Sequence, residues 1–333
     1  VATADQLRAL IESHNQGDEA RFRAVAMQIA ASSAKHGKTK LADQLRTLVD
    51  EARTQRSLHV GPARPVPIAR PARDLAGLLC ASYPETRLGD MVLTDELRQA
   101  IERVIAEYRA RDRLRGHGLA PRAKLLLVGP PGCGKTMTAS VLAGECRLPL
   151  MTVQLHALIT KYMGETAAKL HLIFEAMEST AGVYLFDEFD AIGSTRSTTQ
   201  DVGEIRRVLN SFLQFLEQHD SDSIVVAATN LLPMLDDALF RRFDAVLHYD
   251  LPAPQHVRPL IENRLSAFVT KRLTWKRIVA AAEGLSHAEI VRAAQESAKD
   301  AVLADTDTVT TKDLVRALTE RTAYRTVAVS SSP

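Results

Sequence analysis

The sequence predicts an α/β fold, a parallel sheet with helices on both faces, joined to an all-helical C-terminal region and preceded by a three-helix module. Three observations carry this reading. Between residues 124 and 250, short apolar runs rich in β-branched residues and leucine alternate with stretches of helical period: Leu125–Val128, Leu150–Val153, Val183–Phe186, Ile224–Thr229 and Val246–Tyr249. Strands that are apolar throughout, separated by helices, suit a parallel sheet covered on both sides. After Pro252 the strand-like runs stop and only helical periodicity remains. Before residue 59 apolar residues recur at helical spacing in three segments divided near Gly17 and Gly37.

Taken in order, the first helix opens with a capping box, Thr3 and Gln6, and carries Leu7, Leu10 and Ile11. Phe22, Val25 and Ile29 line the second helix, and Leu41, Leu45, Leu48 and Val49 the third. Residues 1–58 are thus expected to form a helical substrate or partner module. The stretch from Gly61 to Pro71 holds four prolines and no apolar period, so 59–76 reads as a semi-extended linker. An arginine-rich helix is expected over Leu93 to Leu114, an α/β core over 77–252, a helical lid over 253–325 and a tail over 326–333. The lid helices centre on Val257 to Phe268, Trp275 to Ala282, Glu289 to Val302 and Lys312 to Leu318.

Composition narrows the function classes. Among 333 residues, 42 are basic and 40 acidic, for a formal net charge of +2, and 46% are hydrophobic. A chain with so little charge bias is not built mainly to coat nucleic acid or an anionic membrane. No apolar run reaches the roughly 18 residues a membrane span needs, and the interleaved charges of Val1 to Ala30 do not suit a signal sequence. Cys80, Cys133 and Cys146 are too scattered for a disulfide framework or metal knuckle, so a reducing, cytoplasmic setting is expected.

The chemistry is concentrated in Gly129-Pro130-Pro131-Gly132-Cys133-Gly134-Lys135-Thr136, followed by Met137. This fits G-x-x-x-x-G-K-[ST], directly after a predicted strand and at the start of a predicted helix, which is the context the motif requires. Glycines let backbone N–H groups converge on phosphate oxygens, and the helix N-terminus favours the anion. Lys135 would reach the β- and γ-phosphates of a nucleotide and Thr136 would ligate Mg²⁺. Cys133 occupies a position the pattern leaves free and is read as filler open to modification. The apolar strand Val183–Phe186 runs into Asp187 and Glu188: Asp187 would orient Mg²⁺ and Glu188 would take a proton from the attacking water.

The P-loop, together with Phe186-Asp-Glu-Phe-Asp-Ala-Ile-Gly193, Ala228-Thr-Asn230 and Arg241-Arg242-Phe243-Asp244, resembles an AAA ATPase over about residues 77 to 325. The similarity is to the branch holding katanin, spastin and the membrane-bound AAA proteases. This resemblance implies a P-loop NTPase core that hydrolyses ATP with Mg²⁺ as a ring, normally a hexamer. It implies that Asn230 positions the lytic water and that Arg241 and Arg242 are fingers reaching a neighbouring subunit's nucleotide. Lys161-Tyr162-Met163 is similar to the first pore loop, whose aromatic side chain grips an extended polypeptide, and Ser194 to Gly203 matches the second pore loop in position. Gly284-Leu-Ser286-His287-Ala288 resembles the lid turn near the adenine, with His287 in place of the usual glycine, while Ser286 and Glu289 also make a plain capping box.

The expected function is therefore an ATP-driven ring that unfolds or remodels polypeptides through a pore lined by Tyr162. Small AAA proteins of this arrangement can accompany a separate subtilisin-like protease, which makes such a protease a candidate partner. The alternatives are an ATPase that dismantles a specific complex without threading, a nucleic-acid motor or loader drawn by Arg103, Arg109, Arg111, Arg113 and Arg115, and a nucleotide-gated regulatory switch. Acids at Glu102, Glu107 and Asp112 interrupt that basic helix and favour a solvated or inter-subunit face over a nucleic-acid surface.

Overall fold

A computed structural model describes residues 75, 77–158, 163–189, 201–230, 240–270 and 273–330. The N-terminal module and nearly all of the linker lie outside these residues. The chain divides at Leu251/Pro252 into two compact units.

The first unit is built on six strands: β1 (Leu79–Ser82), β2 (Lys124–Val128), β3 (Leu150–Val153), β4 (Val183–Phe186), β5 (Ile224–Thr229) and β6 (Ala245–His248). Their order across the sheet is β1-β3-β4-β5-β2-β6. Strands β3, β4, β5, β2 and β6 run parallel. The sheet is mixed rather than purely parallel, because β1 pairs antiparallel with β3 at one edge, Leu79 opposite Val153 and Ser82 opposite Leu150. That strand is only partly covered and carries Cys80 and Ser82 among its apolar positions.

The helices of this unit are α1 (Asp95–Arg109), α2 (Arg111–Arg115), α3 (Lys135–Cys146), α4 (Leu155–Leu158), α5 (Met163–Ser179) and α6 (Asp201–Gln218). The Thr94 hydroxyl accepts from the Leu97 N–H and starts α1. The single arginine-rich helix expected from the sequence is broken at Ala110, which caps α1 and opens α2.

Because side chains alternate across a strand, each strand feeds both faces of the sheet. Leu126, Val128, Tyr184, Phe186, Val225 and Ala227 meet α5 and α6 on one face. There the rings of Phe174, Phe186, Phe189 and Phe212 lie 4.8–6.4 Å apart in stacked, tilted and edge-to-face pairs. Leu125, Leu127, Val183, Leu185, Val226 and Ala228 meet α1 and α3 on the other.

The arginines of α1 and α2 act as clasps on this core. Arg109 pairs with Glu145 at 2.8 Å, and Arg115 and Arg111 flank Asp222 at 2.6 and 3.6 Å. Glu107 takes Arg103 Nε and the Arg122 N–H. Burial pushes the Glu107 carboxyl up, but the Arg103 hydrogen bond and the Arg122 N–H and charge outweigh it and hold it below 4.5.

The second unit consists of α7 (Pro254–Arg264), α8 (Trp275–Ala281), α9 (His287–Leu303) and α10 (Thr311–Ser330). Its core gathers Val257, Leu260, Ile261, Ile278, Leu285, Ile290, Ala293, Ala294, Leu314 and Leu318. Residues 326–330, expected to be tail, continue α10.

One packing contact is especially tight. A Cβ on Gly144 in α3 would lie 2.3 Å from the Thr86 carbonyl oxygen and 3.1 Å from that of Pro84. Alanine would gain about 0.5–1 kcal/mol of helix propensity and lose about 1–3 kcal/mol to overpacking. Gly144→Ala is therefore expected to lower the urea midpoint; an unchanged or raised midpoint would show that residues 84–86 give way freely.

Candidate nucleotide site

The site forms where the parallel strands end. β2 lies between β5 and β6, with Val128 opposite Thr229 on one side and His248 on the other. The loop leaving β2 therefore emerges beside the end of β5, with β4 one strand further out. In open α/β sheets this carboxyl edge is where ligands bind.

Gly129, Gly132 and Gly134 all have positive φ, +150°, +75° and +103°. Gly134 caps α3 in the left-handed conformation. A Cβ on Gly129 would fall 2.1 Å from the Tyr249 carbonyl oxygen, so only glycine lets the loop pass the end of β6. Pro131, Gly132, Thr136 and Met137 are exposed. Cys133 is buried at 2% exposure, its thiol 3.9 Å from the Pro131 carbonyl oxygen, which closes the expected route to modification in this conformation.

Lys135 begins α3 and is buried. Its ammonium donates to the Gly129 carbonyl at 2.6 Å, the Pro130 carbonyl at 2.8 Å and Asn230 Oδ1 at 2.7 Å. Thr136 Oγ1 donates to Asp187 Oδ2 at 2.7 Å. The Asp187 Oδ1 in turn accepts from the Glu188 N–H at 2.9 Å. Glu188 has φ +52°, uncommon for a residue with a Cβ, and its side chain is exposed. Hydrogen bonds thus join Lys135 to Asn230 and Thr136 to Asp187, and the chain itself links the two pairs into one line from the end of β5 across the start of α3 to the end of β4.

This line suits phosphate chemistry. Lys135 is poised between carbonyls it can exchange for phosphate oxygens. Thr136 and Asp187 offer a hydroxyl and a carboxylate to a hard cation. Among the described residues no group of three or more His, Cys, Asp or Glu could hold a metal ion. When bound, Mg²⁺ would neutralise charge between the outer phosphates. Glu188 follows Asp187 directly after β4, with its side chain open to solvent.

Two supports have no motif to announce them. The Tyr249 hydroxyl, 2.6 Å from Thr138 Oγ1, ties the end of β6 to the first turn of α3. Burial pushes that phenol far above its ordinary pKa and the Thr138 hydrogen bond only partly offsets it, so it is neutral. Met91 is buried beside Gly134 and Thr138. Only the apolar character of Met91 and Tyr249 was visible in advance.

Of the remaining sequence candidates, Lys161 and Tyr162 lie outside the described residues, and Met163 is the first residue of α5. Of Ser194 to Gly203, only the last three positions are described, at the start of α6. Arg241 is exposed, whereas Arg242 pairs with Glu217 at 2.8 Å. In the second unit, Gly284 has φ +76° and Ser286 caps α9 in the expected box with Glu289. Ala288 lies in the first turn of α9 beside His287. The His287 Nδ1 is buried without a hydrogen-bond partner among the described residues.

A glycine-rich loop between strand and helix, its lysine, and an acid-ended strand two places across the sheet define a P-loop nucleoside triphosphatase. The family described as "ATPase family associated with various cellular activities (AAA)" matches residues 125–251. The chain is 35% identical to the AAA family ATPase y4kL of Sinorhizobium fredii over 98% of its own length and 97% of that protein's. It is 29% identical to the ATP-dependent zinc metalloprotease FtsH 2 of Sphaerobacter thermophilus over 71% of its length, spanning 38% of that protein. It is 33% identical to the proteasome-activating nucleotidase of Pyrococcus abyssi over 67% of its length, spanning 57% of that one. The FIGL-1 AAA domain shares the fold with a TM-score of 0.60, at 23% identity, covering 78% of this chain and 91% of that domain. The chain belongs to the AAA ATPase family, and ATP hydrolysis is its activity.

Removing Asn230 takes one acceptor away from the Lys135 ammonium. Asn230→Ala is expected to bind ATP with little change and to lose about 10²-fold in turnover, read by nucleotide titration and steady-state phosphate release. Turnover within about threefold of the parent would remove Asn230 from the site.

Burial, with the neighbouring His256, takes the His287 ring from 6.5 down to about 4. Below pH 6.5 the unfolded chain therefore takes up a proton that the folded unit refuses. Stability contributed by the neutral ring is complete above that pH and is lost as pH falls toward 4. The difference in urea midpoint between the parent and His287→Phe should be flat above pH 7 and slope below 6.5; no slope would contradict the burial.

Proposed function

We propose that the chain is one subunit of an ATP-driven homo-oligomeric ring, a hexamer by family resemblance, that remodels polypeptide clients. The observation that carries this is where the arginines sit. Asp244 Oδ2 accepts the N–H groups of Ala123 and Lys124, each at 2.8 Å, which fixes the Arg241-Arg242 segment at the amino end of β2. The P-loop leaves the other end of that strand. Four residue steps at about 3.3 Å each put roughly 13 Å of strand between them, on the wrong edge of the sheet for Arg241 to serve its own site. An exposed arginine so placed suits a neighbour's phosphate, and a site completed in trans requires assembly.

In this reading Lys135 and the glycine-loop N–H groups hold the phosphates, Thr136 and Asp187 hold Mg²⁺, Glu188 takes the proton from water, and Asn230 orients that water. Tyr162, between α4 and α5, would contact the client. A polypeptide client draws support from the names of two relatives, a metalloprotease and a proteasome-activating nucleotidase. The nucleic-acid alternative is weakened, since Arg103, Arg109, Arg111 and Arg115 of its five arginines each pair with an acid of the same unit. Among the described residues no helix is long and apolar enough to cross a membrane.

Glu188→Gln should bind ATP, lose at least about 100-fold in turnover and accumulate as a ring in light scattering with ATP; a species that stays monomeric there overturns the ring. Tyr162→Ala should keep ATPase activity within about threefold and lose unfolding of a tagged model client. Unchanged unfolding would refute the gripping role.

A further inference from the structure

We propose that Tyr249 is a positioning residue for the phosphate loop. Its backbone holds the loop's first residue, and its hydroxyl, through Thr138, sets the direction of the Lys135 N–H where the loop enters α3. This rests on the reading in which the glycine loop holds the nucleotide's phosphates, and adds to it a residue outside every motif.

Tyr249 touches the loop at both ends. Its N–H donates at 2.7 Å to the carbonyl of Val128, the residue before the loop begins. Its own carbonyl oxygen lies so close to Gly129 that a Cβ there would stand 2.1 Å away, so the loop's first residue is pressed directly on it. The side chain then reaches past the loop to Thr138, where the two hydroxyls meet at 2.6 Å. Tyr249 is 3% exposed and Thr138 0%, so water cannot stand in for either hydroxyl.

The hydrogens of this pair have one consistent order. Thr138 Oγ1 lies 3.1 Å from the Gly134 carbonyl oxygen and 3.8 Å from Met91 Sδ. It has a single hydrogen, and the carbonyl is the stronger acceptor. The Thr138 hydroxyl therefore donates to Gly134, and the Tyr249 hydroxyl donates to Thr138. Burial keeps the phenol protonated, so that donor is present throughout the working range of pH. The Gly134 carbonyl also accepts the Thr138 N–H at 2.9 Å, and the two bonds together point it into α3. A trans peptide is planar, with its N–H opposite its C=O. A Gly134 carbonyl held into the helix thus directs the Lys135 N–H out of the helix start, the side on which an anion binds. Met91 backs the same turn, its Cε 3.2 Å from where a Cβ on Gly134 would lie.

Steady-state ATPase of the full chain tests this with Tyr249→Phe, Thr138→Val, the double variant, Thr138→Ser and Lys135→Ala, each with ATP affinity by titration and a thermal midpoint. Tyr249→Phe should raise KM and weaken ATP binding about three- to tenfold, the effect of one hydrogen bond, with kcat within about twofold of the parent. Thr138→Val should do the same and also lower the midpoint, because it leaves the Tyr249 hydroxyl buried without a partner. Thr138→Ser, which keeps the hydroxyl, should stay close to the parent. The double variant separates positioning from packing. With both hydroxyls gone the midpoint should return toward that of the parent, while KM stays at the raised level of either single variant and the two effects do not add.

A parent-like KM in Tyr249→Phe, or a KM that recovers together with the midpoint in the double variant, would make the pair a packing contact and overturn the proposal. Both of those variants replace a hydroxyl by a group of similar shape, so the comparison stands even if Thr138→Val alone does not fold. Lys135→Ala should lose ATP binding. Retained binding there would overturn the phosphate-loop reading itself, whereas its loss beside a parent-like Tyr249→Phe would overturn the Tyr249 role alone.

Discussion

Strand β2 is hydrogen-bonded along both edges, and the rest of the site depends on that placement. Pairing with β5 sets Val128 against Thr229, so the P-loop and Asn230 leave the sheet side by side. Pairing with β6 sets Val128 against His248, so Tyr249 arrives under Gly129 and the loop can pass only because that residue lacks a Cβ. A slip of one residue in either pairing would exchange the faces of the strand and bury the wrong side chains. The apolar packing on both faces forbids it.

The same strand separates the two functional ends of the unit. Its carboxyl end carries the phosphate loop and its amino end receives the Asp244 carboxylate that fixes the arginine turn. β6 spans this distance, with Arg241 to Asp244 before it and Tyr249 after it. A change in the P-loop that moved α3 would be felt through Thr138 and Tyr249 at one end of β6, and a change at the arginine turn at the other.

Much of this was legible in the sequence, for identifiable reasons. Five strands were located to within a residue because buried parallel strands are apolar without interruption. β1 was not, since Leu79–Ser82 is half covered and mixes Cys80 and Ser82 with its apolar positions. The basic helix was read as continuous because Ala110 carries no breaker signal; the chain bends there and the arginines beyond it reach Asp222. The Ser286–Glu289 cap was legible because it is local. The meeting of Lys135 with Asn230, 95 residues apart, was legible only through the family resemblance, because nothing local in the chain marks which strand will be the neighbour.

The sequence by itself determined the chemistry available: a glycine loop that can follow positive φ, a lysine and threonine at a helix start, and two acids at the end of an apolar strand. Those are local properties, dictated by side-chain identity and backbone sterics within a few residues. Only the tertiary structure decided which of them meet. It placed Asn230 against Lys135, Asp187 against Thr136 and Glu217 against Arg242, and put Arg241 on the far edge from the loop of its own subunit. Sheet order and register are set by the summed packing of many apolar residues on both faces, and no single motif encodes that sum.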